Sequence, residues 1–363
     1  MAPSVTDQRS ASGQAPLRVD ASRCRYQAMI GVGGIGTGMF FALHGNHTLG
    51  REESRSGRFL DRRDYCKLHI ISHYVKVLLG PSFAVIPVGK VGDDDAGRRL
   101  LGEMGEIGLD LRYVPACPGE QTLSAICLVY PDGSGGNLTV DDSACQRVDG
   151  AFVGAAEAEF ARFAGRGIAL AAPEVPLEAR RRVLEMGTAY HFLRVAAFVS
   201  AEMSAAMESG LFEMTDLLAT NVDEAAAIAG ISAEGASPLA IVEAAVGRLS
   251  EVNPRLRISI TAGKRGSWSW DGTSLVHVPA FPVAAVSTAG AGDAHLSGII
   301  AGLVAGLPLA QAQELGTLVA ALSVTSPHTI AKEIERESLR TFAVREQVPL
   351  SNTVKSLLED PGL

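Results

Sequence analysis

The chain is 363 residues long, 47% hydrophobic and 20% charged, and its 32 basic residues are outnumbered by 40 acidic ones for a formal net charge of -8. This length suits one large α/β domain or two ordinary ones, and the acidic balance excludes a general nucleic-acid binder, which needs surplus Lys and Arg to neutralise phosphates. Cys24, Cys66, Cys117, Cys127 and Cys145 form no Cys-x-x-Cys pair, and no run of about twenty apolar residues is present to span a bilayer, so a soluble cytoplasmic protein is the expectation.

Residues 1–24 lack the apolar centre of a signal peptide and read as a flexible, solvated tail. The body, 25–345, opens on an apolar strand, Gln27–Val32, that runs into Gly31-x-Gly33-x-x-Gly36. That spacing occurs in dinucleotide-binding turns, which also need an acidic residue about twenty positions on, at the end of a second strand. Glu52 and Glu53 fall near that distance but inside the polar run Leu49–Gly57, with no apolar strand before them. The glycines are therefore read as room for close packing. Residues about 44–67 form a polar lid or insertion carrying Arg51, Arg55, Arg58, Arg62, Arg63 and Lys67. A helix over Ile70–Leu79, a strand over Phe83–Val88 and a helix over Ala96–Glu106 follow. Leu123–Tyr130 and Asn137–Val140, joined through Pro131-Asp132-Gly133, predict an antiparallel hairpin inside a second lid element, about 121–145. Strands over Gly167–Leu170, Phe192–Val195, Leu217–Ala219 and Arg257–Thr261 then alternate with helices over Leu177–Met186, Asp223–Ala229 and Pro238–Leu249. This rhythm predicts an α/β fold with a mostly parallel sheet covered by helices. Residues 346–363 read as a weakly attached terminal segment.

Chemistry concentrates late in the chain. Within Val286–Leu307, Gly290-Ala291-Gly292-Asp293 stands between an extended stretch and a long helix of small residues. Backbone N–H groups at a helix start attract an anion, and glycines let a phosphate approach them closely. An aspartate at that point opposes a phosphate unless it has another task, such as taking the proton of an attacking hydroxyl; the plainer alternative is a glycine turn with an acidic helix cap. Asn221 and Glu224, three apart where a strand passes into a helix, share one face and suit a hydrated Mg²⁺ with phosphate, or simply an ordinary helix start. Thr261-x-Gly263-x-x-Gly266 follows another strand and can lie close beside a nucleotide.

These three motifs, in this order, resemble those of the ribokinase-like (PfkB) carbohydrate kinase family. Ser287–His295, "STAGAGDAH", resembles its C-terminal signature, Thr220–Glu224 its Asn-x-x-Glu motif, and Thr261–Gly266 its nucleotide-binding turn. Ala84–Leu111 is similar to the segment that follows the family's first glycine pair, and the resemblance runs from Tyr26 to Thr329. It implies a three-layer α/β/α sandwich with a central, mostly parallel sheet and a small β lid. It further implies ATP and Mg²⁺ as cofactors, with Asp293 as general base and Gly290, Ala291 and Gly292 as the anion hole. Asn221 and Glu224 would act through Mg²⁺ and the phosphates, Glu224 through water. Thr261, Gly263, Lys264 and Gly266 would flank the nucleotide, and Glu174 would contact the acceptor.

The chain also departs from the family pattern. The signature's leading aspartate is Ser287, and a later glycine falls at His328. Both positions belong to the monovalent-cation site of members that need potassium, so the case for potassium is weak. His295 stands where the family has an aromatic residue. The Asn-x-Asp that reads sugar hydroxyls aligns with Gly36 and Gly38, and the glycine-pair motif is replaced by Asp64–Gly80, "DYCKLHIISHYVKVLLG". Gly34, Gly36 and Gly38 are accordingly expected on the floor of the acceptor pocket, with Lys67 and His69 lining it. The arginines of the insertion suit an anionic acceptor such as a sugar phosphate, or else internal ion pairs of a solvated lid. The leading expectation is phosphorylation of a small sugar or sugar derivative. A nucleoside kinase and a catalytically silent ligand-binding module on the same fold are the alternatives, and a homodimer through lid strands stays open.

Overall fold

The computed structural model describes residues 15–132 and 135–359, and its elements follow the alternation of the sequence. The first part holds β1 (Ala28–Val32), β2 (Gly36–Leu43), β3 (Gly57–Tyr65), α1 (Lys67–Leu79) and β4 (Ala84–Val88). Two short strands, β5 (Val91–Gly92) and β6 (Ala116–Cys117), flank α2 (Asp95–Glu106) in sequence and precede the hairpin β7 (Leu123–Val129) and β8 (Gly135–Thr139). Then come α3 (Gly150–Gly154), α4 (Glu157–Arg162), β9 (Gly167–Ala171), α5 (Leu177–Ala189), β10 (Leu193–Ala197) and α6 (Met203–Glu208). β11 (Leu217–Asn221), α7 (Val222–Ala229), α8 (Pro238–Val252) and β12 (Arg257–Thr261) continue the pattern. The chain closes with β13 (Ser267–Trp270), β14 (Leu275–Val278), α9 (Ala291–Val304), α10 (Leu309–Ser323), α11 (Arg336–Arg345) and α12 (Asn352–Leu358).

Eight strands form one sheet in the order β14-β13-β12-β11-β10-β9-β1-β4, and only β13 and β14 run antiparallel to their neighbours. All five residues of β1 and of β9 are buried, as a parallel sheet with two covered faces requires. Alternate residues feed opposite layers: Met29 joins the core with Leu68, Ile299 and Leu318, while Ala28, Ile30 and Val32 join that with Val183, Ile228 and Leu249. Full burial of one such side chain contributes roughly 1.5–3 kcal/mol. The small residues of α9 have a packing reason as well. A Cβ on Gly298 would lie 2.6 Å from the Gly316 Cα of α10, so these helices touch backbone to backbone.

A second sheet, β3-β2-β7-β8, pairs β2 with β7 in parallel and is otherwise antiparallel. The hairpin therefore forms as its turn chemistry predicts. The insertion holds more order than its polarity suggests, because its second half is strand β3. Polar side chains conceal a strand when only one of its faces is covered. Phe59 and Leu138 are 61% exposed and Met39 53% exposed on this sheet, an apolar surface that keeps the homodimer expectation open.

Residues 15–24 and 346–359 are packed where the sequence reads as tail. Residues 1–14 lie outside the described residues, but from Ala15 onward the segment is held. The Leu17 amide donates to the Leu78 carbonyl at 2.8 Å, the Arg18 amide to Leu357 at 2.9 Å, and the Arg336 amide to Ala15 at 3.0 Å. Leu17 is buried, as are Val348, Leu350, Val354, Leu357 and Leu358 of the C-terminal segment. Each end covers apolar surface that the other leaves, a pairing invisible in either stretch alone. No helix among the described residues is long and apolar enough to cross a membrane.

Candidate active site

Because β1 and β9 to β12 are parallel, the loops that follow them meet at one edge of the sheet, the usual place for a site in such folds. The start of α9 reaches the same edge. Gly290 caps it with φ of +77°, and a Cβ there would lie 2.9 Å from the Thr329 carbonyl oxygen, so both conformation and space call for glycine. In the first turn the Gly292 and Asp293 amides find no carbonyl partner among the described residues, and with the helix dipole they form an anion-attracting end.

Asp293 is half-buried and lines a cavity of about 750 Å³. Burial pushes its carboxyl pKa up to about 7; Lys67 opposes the shift, while Glu174, Glu224 and Asp64 add like charge. The electrostatics therefore bring Asp293, Lys67, Glu174 and Glu224 into one neighbourhood. Lys67 opens α1, its amide donating to Glu174 Oε2 at 3.1 Å and its Nζ standing 3.7 Å from Oε1. Burial pulls the Lys67 ammonium down, and the carboxylates of Glu174, Asp293 and Glu224 outweigh it, leaving Lys67 firmly protonated. Glu174 has a raised pKa, from burial first, with Lys67 pulling the other way. Its backbone φ of +75° is left-handed, strain on the order of 1–3 kcal/mol that this polar pair must offset.

The nucleotide-side motifs lie at neighbouring strand ends. Asn221 of β11 pairs in register with Thr261 of β12. Asn221 Oδ1 accepts from the Glu224 amide at 2.9 Å, and Glu224 Oε2 accepts from the Asn221 amide at 2.8 Å and from the Thr220 hydroxyl at 3.0 Å. This reciprocal cap explains the spacing of three and leaves Glu224 Oε1 without a partner among the described residues. Burial raises the Glu224 pKa, against the Asn221 amide, Thr220 and Lys67. Gly263–Arg265 is a single tight turn, with Lys264 exposed at its tip. Gly266, φ +89°, has no room for a Cβ, which would lie 2.2 Å from the Val278 carbonyl oxygen. Asn221, Glu224, Thr261, Gly263, Lys264 and Gly266 are not on the wall of the cavity of Asp293.

Lys67, Glu174 and Gly290 line the cavity with Asp293; the three upstream glycines do not. Each instead makes room for a residue that does. A Cβ on Gly34 would lie 2.5 Å from Glu174 Oε2, one on Gly36 2.8 Å from Cys66 Sγ, and one on Gly38 2.4 Å from Asp64 Oδ2. The chain after Gly36 is strand β2 rather than a helix start, which removes the dinucleotide reading. His69 is in the core, edge-on to Tyr65, with burial and then Lys332 and Arg99 lowering its pKa to about 3. His295 also points inward, 3.2 Å from Ser267 Oγ, its pKa lowered by burial to about 4. Ser287 lines the cavity, whereas His328 Nδ1 accepts the Arg63 amide at 2.9 Å and ties β3 down. Among the insertion's basic residues, Arg55 pairs with Glu53 at 2.7 Å and Arg63 with Glu103 at 3.4 Å; Arg62 and Lys67 line the cavity.

Sequence reasoning missed Asp64 and Cys127, both on the cavity wall. Asp64 Oδ2 accepts the Cys127 thiol at 3.3 Å, and burial raises its pKa against the pull of Cys127, the Tyr65 amide, Thr329 and Lys67. The signal was Gly38 opposite Asp64, legible only once β2 and β3 are paired.

Residues 73–336, most of the chain, match the model of the family described as pfkB family carbohydrate kinase. The chain belongs to that family, and its fold is the ribokinase-like α/β fold. A stretch of 57 residues is 49% identical to an uncharacterized sugar kinase, YegV, of Escherichia coli K12, covering 16% of this chain and 18% of that one. The matched stretches span only 18% and 26% of the first curated relatives. The ribokinase of Arabidopsis thaliana, solved with ribose and ATP, superposes with a TM-score of 0.68 at 18% identity over 87% of this chain and 98% of its own. A nucleoside kinase of Burkholderia thailandensis, solved with inosine, gives 0.66 at 17% identity over 87% and 97%.

Proposed function

We propose that this protein is an ATP- and Mg²⁺-dependent kinase that transfers the γ-phosphoryl group to a hydroxyl of a small sugar or sugar derivative. One observation carries the reading: a half-buried carboxylate with its pKa held at about 7 stands in the first turn of an anion-attracting helix, on the wall of a cavity of about 750 Å³. A general base works best with a pKa near the working pH, and phosphoryl transfer needs position and charge more than covalent chemistry.

In this mechanism the acceptor hydroxyl gives its proton to Asp293 as its oxygen bonds to the γ-phosphorus. The bond to the β,γ-bridging oxygen breaks, ADP leaves, and the proton remains on Asp293 until solvent removes it. The amides of Gly292 and Asp293 take up the charge that spreads over the phosphoryl oxygens, the Ala291 amide already donating to the Thr288 carbonyl at 3.3 Å. Glu174 keeps Lys67 charged and aimed into the site, where its ammonium favours the ionised form of Asp293. Thr261 to Gly266 would bound the nucleotide.

The residues present fit Mg²⁺. Glu224 has one free carboxylate oxygen at the phosphate side, and Mg²⁺ commonly takes one or two protein carboxylates with water and phosphates completing its shell. Glu224 and Asn221 would hold the ion through water, and when bound it would supply positive charge to offset that of the phosphates. Phe40 and Tyr130 on the cavity wall favour a nucleoside as the second reading, since aromatic faces can stack on a base.

The test is ADP release with Mg²⁺–ATP across sugars, sugar phosphates and nucleosides, beside thermal shifts with Mg²⁺–ATP and with NAD⁺. Turnover with a free sugar and a shift with Mg²⁺–ATP alone are expected. A shift with NAD⁺ alone, or ADP release with no acceptor, rejects the reading.

A further inference from the structure

We infer that Asp64 orients the acceptor in this pocket, accepting hydrogen bonds from its hydroxyl groups, so that acceptor specificity resides on β3. The inference rests on the kinase reading and deepens it. It starts from strand register: Asp64 of β3 lies directly opposite Gly38 of β2. A Cβ on Gly38 would stand 2.4 Å from Asp64 Oδ2 and 3.0 Å from Asp64 Cβ. Gly38 is thus bare on the side where the Asp64 side chain crosses it, and any larger residue at 38 would displace that carboxylate.

What the carboxylate faces is the cavity it shares with Asp293, Glu174 and Lys67. Asp64 makes no ion pair among the described residues, and its carboxylate takes hydrogen bonds from the Cys127 thiol, a weak donor, and from Thr329 and the Tyr65 amide. A carboxylate has about four acceptor directions, and these neighbours leave capacity for donors arriving from the cavity. Its charge also acts on both Asp293 and Glu174, and all three carboxylates line the same cavity. Three carboxylates against Lys67 and Arg62 favour an acceptor that brings hydroxyl donors to Asp64: a neutral polyol, with any anionic group directed away from β3.

The experiment measures ADP release with Mg²⁺–ATP for D-ribose, D-fructose, D-glucose, glycerol, inosine and the anionic D-fructose 6-phosphate, on wild type, Asp64→Asn, Asp64→Gly, Gly38→Ala and the exchange Gly38→Asp with Asp64→Gly. Wild type is expected to accept at least one of these. Loss of charge-assisted hydrogen bonds in Asp64→Asn is expected to raise the acceptor KM about 10- to 100-fold while kcat falls less than about fivefold. Gly38→Ala, which keeps the carboxylate but pushes it aside, is expected to raise KM in the same direction. The exchange, which returns a carboxylate to the same space from β2, is expected to recover at least about tenfold of the lost KM relative to Asp64→Gly alone. An unchanged KM in Asp64→Asn overturns the inference and leaves the kinase reading intact. So does a kcat loss that tracks a lowered melting temperature with KM constant, the mark of a purely structural Asp64. If wild type binds Mg²⁺–ATP by thermal shift but turns over only anionic acceptors, the inference again fails alone. Absence of both ATP binding and ADP release overturns the kinase reading itself.

Discussion

In the region proposed to take phosphate, Asn221 and Glu224 stand at the end of β11 and Gly290 to Asp293 at the start of α9, and each motif is contiguous in sequence. On the acceptor side, Gly38, Asp64 and Lys67 come from β2, β3 and α1 and meet only through strand register and the bend from β3 into the helix. The first region uses backbone amides, helix ends and reciprocal caps, which are local and change little without unfolding. The second uses side chains on a half-exposed sheet, where a carboxylate can move from one strand to its neighbour if a glycine opposite makes space. The proposed function thus assigns phosphate chemistry and acceptor choice to separate elements of this architecture.

Three substitutions sharpen that division. The largest effect belongs to Asp293→Asn, which is expected to lower kcat by about 10²- to 10⁴-fold with the thermal shift by Mg²⁺–ATP retained; turnover near wild type would remove Asp293 from the chemistry. The same variant tests the sign of its pKa shift. Because the folded pKa, about 7, lies above the ordinary carboxylate value of 3.8, ionisation costs stability as pH rises through that window. The carboxamide of the variant cannot ionise, so its melting temperature above that window is expected to exceed that of wild type, and below the window the difference should vanish.

Next in size is Lys67→Met. Activity needs ionised Asp293 and should fall on the acid side of about pH 7. Removing the ammonium that favours that ionised form is expected to move the acid limb of kcat/KM upward by on the order of one pH unit. A limb that stays in place would show that Lys67 does not reach Asp293. The smallest effect is Glu224→Gln, expected to raise the Mg²⁺ concentration for half-maximal activity about three- to tenfold, as loss of a group that reaches the ion through water should. An identical Mg²⁺ titration would leave Glu224 with its helix-capping work only.

The sequence by itself determined the parallel core and the local geometry of the region proposed to take phosphate. Unbroken apolar strands must be covered on both faces, as all of β1 and β9 are. The glycine turn at 290, the Asn221–Glu224 cap and the turn at 263–266 are local geometries written in contiguous residues. Only tertiary structure decided that Gly34, Gly36 and Gly38 lie behind the cavity wall, that His69 and His295 face inward, and that polar β3 is a strand. It also decided that Asp64 enters the pocket and that the two chain ends cover one another. The physical reason is shared. A turn or cap satisfies its own hydrogen bonds within a few residues, whereas the aim of a side chain on a half-exposed strand is set by the partner strand, and that partner is chosen by the rest of the fold.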